Sequence, residues 1–327
     1  MSNKTVYRIA SLVILALVLL SLGIACKSGK ETTATSPPPT ATLESPTQIR
    51  PTDGMLMVYV PAGEFQMGSG EEDIDYAMKL CNKTVENCER SWFEREMPMH
   101  KVAIEGFWID QTEVTQAQFA AFLTSQGNKT EDGMPWFAIE SVVCLIERKG
   151  NEYRVKQGYE NYPITEVNWY GARAYCKWAG ARLPTEAEWE FAARGPEGKV
   201  YPWGDTFDGT KLNFCDTNCT YGNEDNDYND GYGRVAPVGS FPDGVSWCGA
   251  LDMAGNAWEW VADWYGDYPA GRQENPTGPD RGEYRVLRGG SWQYPSYKSR
   301  SAFRHWYLPA EYGFNRGFRC VRDAGTP

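Results

Sequence analysis

Histidine is scarce in this chain of 327 residues, which contains only His100 and His305. A 2-His-1-carboxylate iron centre would use both of them, and no motif presents the serine of a Ser-His-Asp triad. We expect His100, which leads into a predicted strand, to be structural. A compact Cys-x-x-Cys pair is also absent, which argues against a zinc site. Hydrolase and zinc-protein functions therefore have no support in the sequence.

Positive charge is in short supply as well, because 32 Lys and Arg residues face 43 Asp and Glu residues and the formal net charge is −11. Nucleic-acid binding depends on basic patches that displace counterions from phosphates. The composition therefore argues against a nucleic acid as partner. It does not name another partner.

The N-terminus carries a long apolar run, residues 9–25, which follows two basic residues and ends at Cys26. This pattern is typical of a secretory signal. The end of the run resembles a bacterial lipobox, in which Cys26 becomes the lipidated first residue, although Gly23 occupies the place usually taken by Leu. The alternative is an uncleaved membrane anchor, because the run borders on spanning length. Both interpretations predict an exported, extracytoplasmic protein that is tethered to a bacterial membrane.

The sequence divides into three parts. Residues 1–26 are predicted to be a lipoprotein signal peptide, and residues 27–54 a disordered linker of Thr, Ser and Pro with hardly an apolar residue. Residues 55–323 contain no second stretch of this kind. We expect these residues to form one domain.

Nine cysteines leave eight once Cys26 is lipidated, and an even number in an exported chain predicts disulfides. Cys81 with Cys88 and Cys215 with Cys219 are plausible local pairs. Eight cysteines allow 105 connectivities, however, so spacing alone leaves the pairing open.

Three short helices are predicted from their first residues. Thr115 and Thr185 each begin a capping box, and Asn168 can cap a helix that ends at Gly180. Elsewhere short alternating runs such as 57–60 are separated by Gly, Pro, Asn and Asp. With 33 Gly, 13 Trp and 19 Tyr, the core is expected to consist largely of aromatic rings held by loops. The fold class is therefore α+β with few regular elements.

Three segments resemble the formylglycine-generating enzyme, or sulfatase-modifying factor, family. They are Arg-Leu-Pro-Thr-Glu-Ala-Glu-Trp-Glu at 182–190, Gly-Asn-Ala-Trp-Glu-Trp at 255–260, and 288–320, which begins Arg-Gly-Gly-Ser-Trp and ends Gly-Phe-Arg-Cys. The resemblance implies a single compact domain with little regular secondary structure, related to the C-type lectin fold. In that family the last segment carries two cysteines that hold copper(I) and oxidise a substrate cysteine with oxygen.

This chain lacks both of those cysteines. Tyr294 falls near the first and residues 297–299 fall near the second. Thiolate is the soft ligand that selects copper(I), and the oxygen of Tyr or Ser is a poor substitute. We therefore do not expect copper or the family's oxidase reaction.

The resemblance also pairs Cys176 with Cys320, which match a disulfide joining distant parts of the family fold. Together with the two local pairs, this pairing leaves Cys144 and Cys248 as the last pair by elimination.

An acidic region around residues 213–230 resembles a calcium-binding loop in composition. Asp225, Asp227 and Asn229 imitate the start of an EF-hand, but Ala236 stands where the bidentate Glu is required. The EF-hand interpretation therefore fails. Calcium also accepts irregular sets of carboxylate and backbone oxygens.

The resemblance implies two calcium sites of that irregular kind. Their ligands would be Asp252, Gly255, Ala257 and Glu259 for one site, and Asn213, Phe214, Asp230 and Tyr232 for the other. The alternative is a solvated acidic loop with ordinary turn residues.

Four further residues match positions in the family's active-site groove: Ser291, Trp258, Arg300 and Arg304. The Gly-Gly pair before Ser291 would serve a binding cleft and a tight core turn equally well. The two arginines could hold a carboxylate or a carbonyl of a ligand, or form structural salt bridges.

The sequence thus predicts a membrane-anchored, calcium-stabilised binding module without the copper-cysteine centre, whose ligand would be a peptide, a glycan or another envelope protein. The absence of the Glu-Pro-Asn and Gln-Pro-Asp triplets of sugar-binding lectins disfavours the glycan. The alternatives are a metal-dependent oxidase of the formylglycine-generating type, which would activate sulfatases, and a purely structural envelope protein.

Overall fold

The helices of the fold begin where the local sequence caps them. The computed structural model describes residues 45–325. Its α-helices are α1 (Glu71–Thr84), α2 (Ser91–Glu94), α3 (Gln116–Gln126), α4 (Trp169–Trp178) and α5 (Glu186–Arg194). Thr115, Asn168 and Thr185 each accept a backbone N–H from the residue three places further on. The three predicted helix starts are confirmed.

Short strands make up the remaining regular structure. They are β1 (Thr47–Ile49), β2 (Leu56–Val60), β3 (Gly63–Met67), β4 (His100–Ile104), β5 (Phe107–Asp110), β6 (Thr130–Glu131), β7 (Met134–Pro135), β8 (Ile146–Lys149), β9 (Glu152–Val155), β10 (Trp258–Trp264), β11 (Gln273–Glu274), β12 (Arg285–Arg288), β13 (His305–Tyr307), β14 (Arg316–Gly317) and β15 (Val321–Asp323). One sheet has the order β1-β2-β5-β15, a second β13-β12-β10-β14, and a third β11-β4-β3. Two hairpins, β6-β7 and β8-β9, complete the described strands.

A long irregular stretch separates the last helix from the second sheet. Between α5 and β10 the structure has no α-helix and no strand, only the 3-10 turn Pro242–Gly244 and isolated bridges. The α+β class with little regular secondary structure is therefore confirmed. The predicted calcium ligands lie in and just after this stretch.

The folded part begins earlier than the predicted boundary at residue 55. β1 pairs antiparallel with β2, with Gln48 opposite Met57. Arg50 is buried and forms salt bridges of 2.6 Å with both Asp53 and Asp110. Residues 47–54 are therefore part of the domain, because a buried ion pair and a strand pairing hold them there. The predicted signal peptide with Cys26 and the linker up to residue 44 lie outside the described residues.

Three disulfides join Cys81 to Cys88, Cys176 to Cys320, and Cys215 to Cys219. Each of these pairs agrees with the sequence analysis. The pairing of Cys144 with Cys248 is wrong, since both are buried free thiols. Burial raises the pKa of each thiol, so both are poor nucleophiles at neutral pH.

Aromatic rings are a large part of the core but not most of it, because aliphatic and small apolar residues outnumber them among the buried side chains. Trp189, Trp258 and Trp260 are fully buried, and none of the 13 Trp residues is exposed. α3 and α4 pack their rings together, with the Phe119 ring stacked 5.7 Å from that of Tyr175.

Among residues 45–325, no helix is both long enough and apolar enough to cross a membrane.

Candidate functional site

Residues 294–299, which match the segment that carries the cysteines in the family, pack closely against Gly290 of the Gly-Gly pair. Residues 296–299 form a 3-10 turn, and a Cβ added to Gly290 would lie only 2.7 Å from Ser299 Oγ. Gly290 also has φ +82°, so glycine is required there for conformation and for space. Ser299 Oγ is buried without a hydrogen-bond partner. The turn therefore places a serine hydroxyl, and no sulfur, behind Gly290.

The two free thiols of the described chain lie elsewhere. Cys248 Sγ contacts Ser246 Oγ at 3.3 Å and the Ala192 carbonyl, whereas Cys144 Sγ donates to the Ile146 carbonyl. Neither thiol is positioned to supply the missing sulfur.

Ser291 and Trp258, which match groove positions, are fully buried. Trp258 packs against Tyr294 and His305, at ring distances of 5.8 and 5.1 Å. Its indole Nε1 has no hydrogen-bond partner. The Ser291 hydroxyl accepts a weak hydrogen bond from Asn315 Nδ2 at 3.5 Å. Both side chains therefore lie in the packed interior and do not line a surface groove.

The matching arginines are neutralised inside the protein. Arg300 donates two hydrogen bonds, of 2.9 and 2.6 Å, to the carboxylate of Glu96. Arg304 donates to Glu186 in the same two-pronged way, at 2.7 and 2.8 Å. Both arginines are at most 2% exposed. The geometry is that of structural salt bridges, the less specific of the two roles expected from the sequence.

Around the second predicted calcium site, Asp230 contacts the backbone next to Asn213. Asp230 accepts N–H groups from Phe214 and Tyr232, at 3.1 and 2.8 Å. Burial and then the nearby Asp216 carboxylate raise the pKa of Asp230 to about 7. Asn213 Oδ1 is buried without a donor. An unpartnered amide oxygen and two crowded carboxylates form the kind of donor set that calcium accepts.

The first predicted calcium site also shows an excess of buried acid. Glu259 is bound by Arg319 through two contacts of 2.7 Å. Asp252 faces the buried carboxyl of Glu113, whose Oε2 has no partner. Burial and then Asp252 raise the pKa of Glu113 well above its usual range. A cation would relieve this crowding.

Glu113 was not among the predicted ligands. It follows β5, and Asn256, which lies 143 positions away in sequence, donates to its Oε1 at 2.9 Å. No periodicity or local motif connects two such positions. Among residues 45–325, no three His, Cys, Asp or Glu side chains form a metal-binding group, so the two predicted calcium sites would depend on backbone and amide oxygens.

A group of cations surrounds His305, beside the substituted segment. Lys298 Nζ lies 4.0 Å from the centre of the Tyr294 ring. Arg316 lies 3.2 Å from the Tyr307 ring, and Arg95 lies 4.5 Å from that of Trp306. We call Arg95, Lys298 and Arg316 the cationic patch. Sequence analysis missed it, because its members come from three separate segments.

Two surface cavities are lined by residues outside the segment 294–299. One of about 1010 Å³ is lined by Trp169, Arg182 and Arg285 and contains none of the four groove candidates. The other, of about 320 Å³, is lined by Arg304, Asp263 and Tyr268. Of the groove candidates only Arg304 reaches either cavity, and its charge is already paired with Glu186.

The irregular α+β domain, its long-range disulfide and its Gly-Gly turn define a domain of the formylglycine-generating type without sulfur in the corresponding segment. The family model described as "Sulfatase-modifying factor enzyme 1-like domain" matches residues 42–324. The chain belongs to this family.

Relatives whose names indicate different activities are similar in sequence to this chain. A formylglycine-generating enzyme of Streptomyces coelicolor is 34% identical, over 88% of this chain and 96% of the relative. An inactive Cα-formylglycine-generating enzyme 2 of Bos taurus is 32% identical, over 83% and 89%. The serine/threonine-protein kinase Pkn1 of Chlamydia trachomatis is 34% identical over 82% of this chain, which spans only 38% of the kinase's length. The family thus includes both enzymes and an inactive paralogue.

Among solved structures, PvdO from Pseudomonas aeruginosa is similar to the chain. The TM-score is 0.59 at 25% identity, and the match covers 86% of this chain and 98% of PvdO. This likeness supports the fold over nearly the whole described domain.

Proposed function

We propose that this protein is an exported, membrane-anchored binding module of the sulfatase-modifying factor family that does not carry out the copper-cysteine oxidation. The observation that carries the proposal is the segment 294–299, which contains no sulfur and sits behind Gly290 with Ser299 at its end. Copper(I) selects thiolate ligands. The similarity to an inactive paralogue supports the same conclusion.

The charges near this segment also oppose a metal cation. Lys298 lies within the segment, and Arg95 and Arg316 lie close to His305. Like charges repel more strongly in a partly buried site than in water. A second metal arrangement built on His305 would have to overcome this repulsion.

The proposed location rests on the N-terminal signal pattern and on the disulfides. Three disulfides in a domain of this size are typical of an oxidising compartment. A lipid on Cys26 would anchor the domain to a bacterial membrane, and its ligand would be a peptide, a glycan or another envelope protein. The match to Pkn1 concerns the shared domain alone.

The decisive experiment is an activity assay on the full-length chain with a sulfatase-type cysteine peptide, copper, oxygen and a reductant. We expect no conversion of cysteine to the aldehyde by mass spectrometry, because neither sulfur ligand is present. A relative that contains both cysteines serves as the positive control. Conversion by this chain above the copper-only background would refute the proposal.

Calcium is proposed as a structural cofactor of the module. The unpartnered oxygens of Asn213 and Glu113, together with the crowded carboxyls of Asp230 and Asp252, are the features that support it. A ligand that binds only the folded state stabilises it by about 2.7 kcal/mol at 100 times its Kd. We therefore expect calcium, added after chelation, to raise the melting temperature by several degrees, roughly as that energy implies.

The control separates specific binding from general screening. We expect Asp230→Asn to reduce the calcium-dependent increase, whereas Asp227→Asn, an exposed acid in the same loop, should leave it intact. Equal melting temperatures of the wild type with calcium and with chelator would contradict the calcium proposal.

A purely structural envelope protein is the second candidate. Burial of Ser291, Trp258, Arg300 and Arg304 favours it, because the protein's own side chains occupy the positions that line a groove in the enzymes. A structural scaffold needs no ligand site. The two candidates therefore differ in whether a ligand binds near the segment 294–299.

A further inference from the structure

The cationic patch has few negative partners in a protein with an excess of acid. Within residues 45–325, Arg95 and Lys298 form no salt bridge, and Arg316 has only the exposed Glu311 at 3.8 Å. Glu96, the acid next to Arg95 in sequence, is fully engaged by Arg300. Most other buried arginines of the domain have a carboxylate within 3.0 Å, as Arg288 and Arg304 do. The patch therefore carries uncompensated positive charge.

Its donors are also unsatisfied. Arg316 is only 8% exposed, yet its Nε and Nη1 have no hydrogen-bond partner. Nε2 of His305, which lies among the three cations, is likewise buried and unpartnered. Buried polar groups usually find a partner. Two such residues beside unpaired cations indicate that a partner is supplied from outside the chain.

Half-buried aromatic rings flank the same place. Tyr294 lies under Lys298, Trp306 under Arg95, and Tyr307 under Arg316. All three rings are partly accessible to solvent. They offer planar apolar surface next to the positive charges, a combination that suits a ligand with both an anionic group and an apolar body.

We propose that the cationic patch binds the oxyanion of an acidic ligand, a carboxylate or a phosphate, whose apolar part lies against Tyr294, Trp306 and Tyr307. Arg95 and Lys298 are partly exposed and could contact such a ligand directly, whereas the buried Arg316 adds positive potential. The ligand would thus bind beside the segment where catalytic relatives hold a metal cation, and it would carry the opposite charge.

Two pKa shifts agree with this assignment. Burial, and then the charge of Arg95, lower the pKa of Lys298 to about 8. Burial, followed by Lys298, Arg316 and Arg95, lowers the pKa of His305 to about 3. Burial and mutual repulsion make the positive charges of the patch unfavourable, and a bound anion would reduce that free-energy cost.

This assignment rests on the proposed binding function and gives its ligand a chemical class. It is tested without the natural ligand by comparing two aldehydes that differ in one anionic group. Pyridoxal 5′-phosphate and pyridoxal each condense with a lysine amine, and borohydride then reduces the imine to a stable adduct. The full-length chain is labelled in detergent with each reagent, and peptide mass spectrometry measures the ratio of the two yields at every lysine.

Lys129 is the internal control, since its ammonium also lies over an aromatic ring, Trp136, at 5.5 Å, but away from the patch. We expect the yield with pyridoxal 5′-phosphate, divided by the yield with pyridoxal, to be about tenfold higher at Lys298 than at Lys129. Several positive charges close together concentrate anions near them. Arg95→Gln should lower this excess by about threefold. Arg148→Gln, which removes a cation over the ring of Tyr153, should not.

Competition identifies the source of the oxyanion. Protection of Lys298 by inorganic phosphate but not by succinate would assign a phosphate ligand, and the reverse would assign a carboxylate. Equal ratios at Lys298 and Lys129, or no labelling of Lys298 by either aldehyde, would overturn the proposal. Such a result would not affect the proposal that the protein lacks oxidase activity, and it would favour the structural candidate over the binding module.

Discussion

Replacement of Arg300 by methionine is expected to lower the free energy of unfolding by about 3–5 kcal/mol, because it leaves the carboxylate of Glu96 buried without its partner. Glu96 is completely buried, and apart from Arg300 its side chain accepts one hydrogen bond, from Ser69 Oγ at 2.6 Å. The change is measured by urea denaturation followed by tryptophan fluorescence. A loss of this size would assign a structural role to Arg300, a position that matches a groove residue in the enzymes.

A second variant shows where the cost arises. Arg300→Met combined with Glu96→Gln removes the unpaired charge and should recover about half of the loss. Arg154→Met is the matched control, because Arg154 pairs with Glu152 on the surface and both side chains are more than half exposed. We expect that change to cost less than about 1 kcal/mol. Equal losses from Arg300→Met and Arg154→Met would show that the buried pair contributes little.

The parts of the fold that the sequence predicted are local ones. The caps at Thr115, Asn168 and Thr185 depend on a side chain and an N–H three residues away, so the pattern and the contact are neighbours in the chain. The disulfides Cys81–Cys88 and Cys215–Cys219 have separations of 7 and 4. Cys176 and Cys320, separated by 144, could be paired only through the family resemblance.

The parts that were missed depend on distant contacts. Pairing Cys144 with Cys248 assumed that every thiol finds a partner, but a disulfide needs the two Cα atoms within about 7 Å, and spacing says nothing of that distance. Arg50 joins the domain because Asp110 lies beside it, 60 positions later. The cationic patch likewise brings together residues 95, 298 and 316. Composition indicates an excess of acid but cannot show which cations remain unpaired.

The same kind of long-range contact produces the second large effect expected, a loss of stability as pH rises. Asp263 is buried, and its Oδ2 accepts the N–H of Glu186 at 2.8 Å. Burial raises its pKa to about 8, with further increases from the carboxylates of Glu186 and Glu188 and opposing effects from the Glu186 N–H and from Arg304. In the unfolded chain this carboxyl has its usual pKa near 3.8. Asp263 therefore stabilises the protein fully below about pH 4, and that contribution is lost as pH rises toward 8.

Asp263→Asn isolates this effect, since an amide oxygen can still accept the Glu186 N–H while no proton is bound or released. Between pH 5 and pH 8 we expect the wild type to lose about 2–4 kcal/mol relative to this variant, measured from urea denaturation at both pH values. Asp267→Asn, in the exposed loop that follows, should track the wild type. If Asp263→Asn also tracked the wild type, the carboxyl of Asp263 would have to be ionised in the folded protein at pH 5. Its negative charge would then be balanced by Arg304, which Glu186 already engages through two hydrogen bonds.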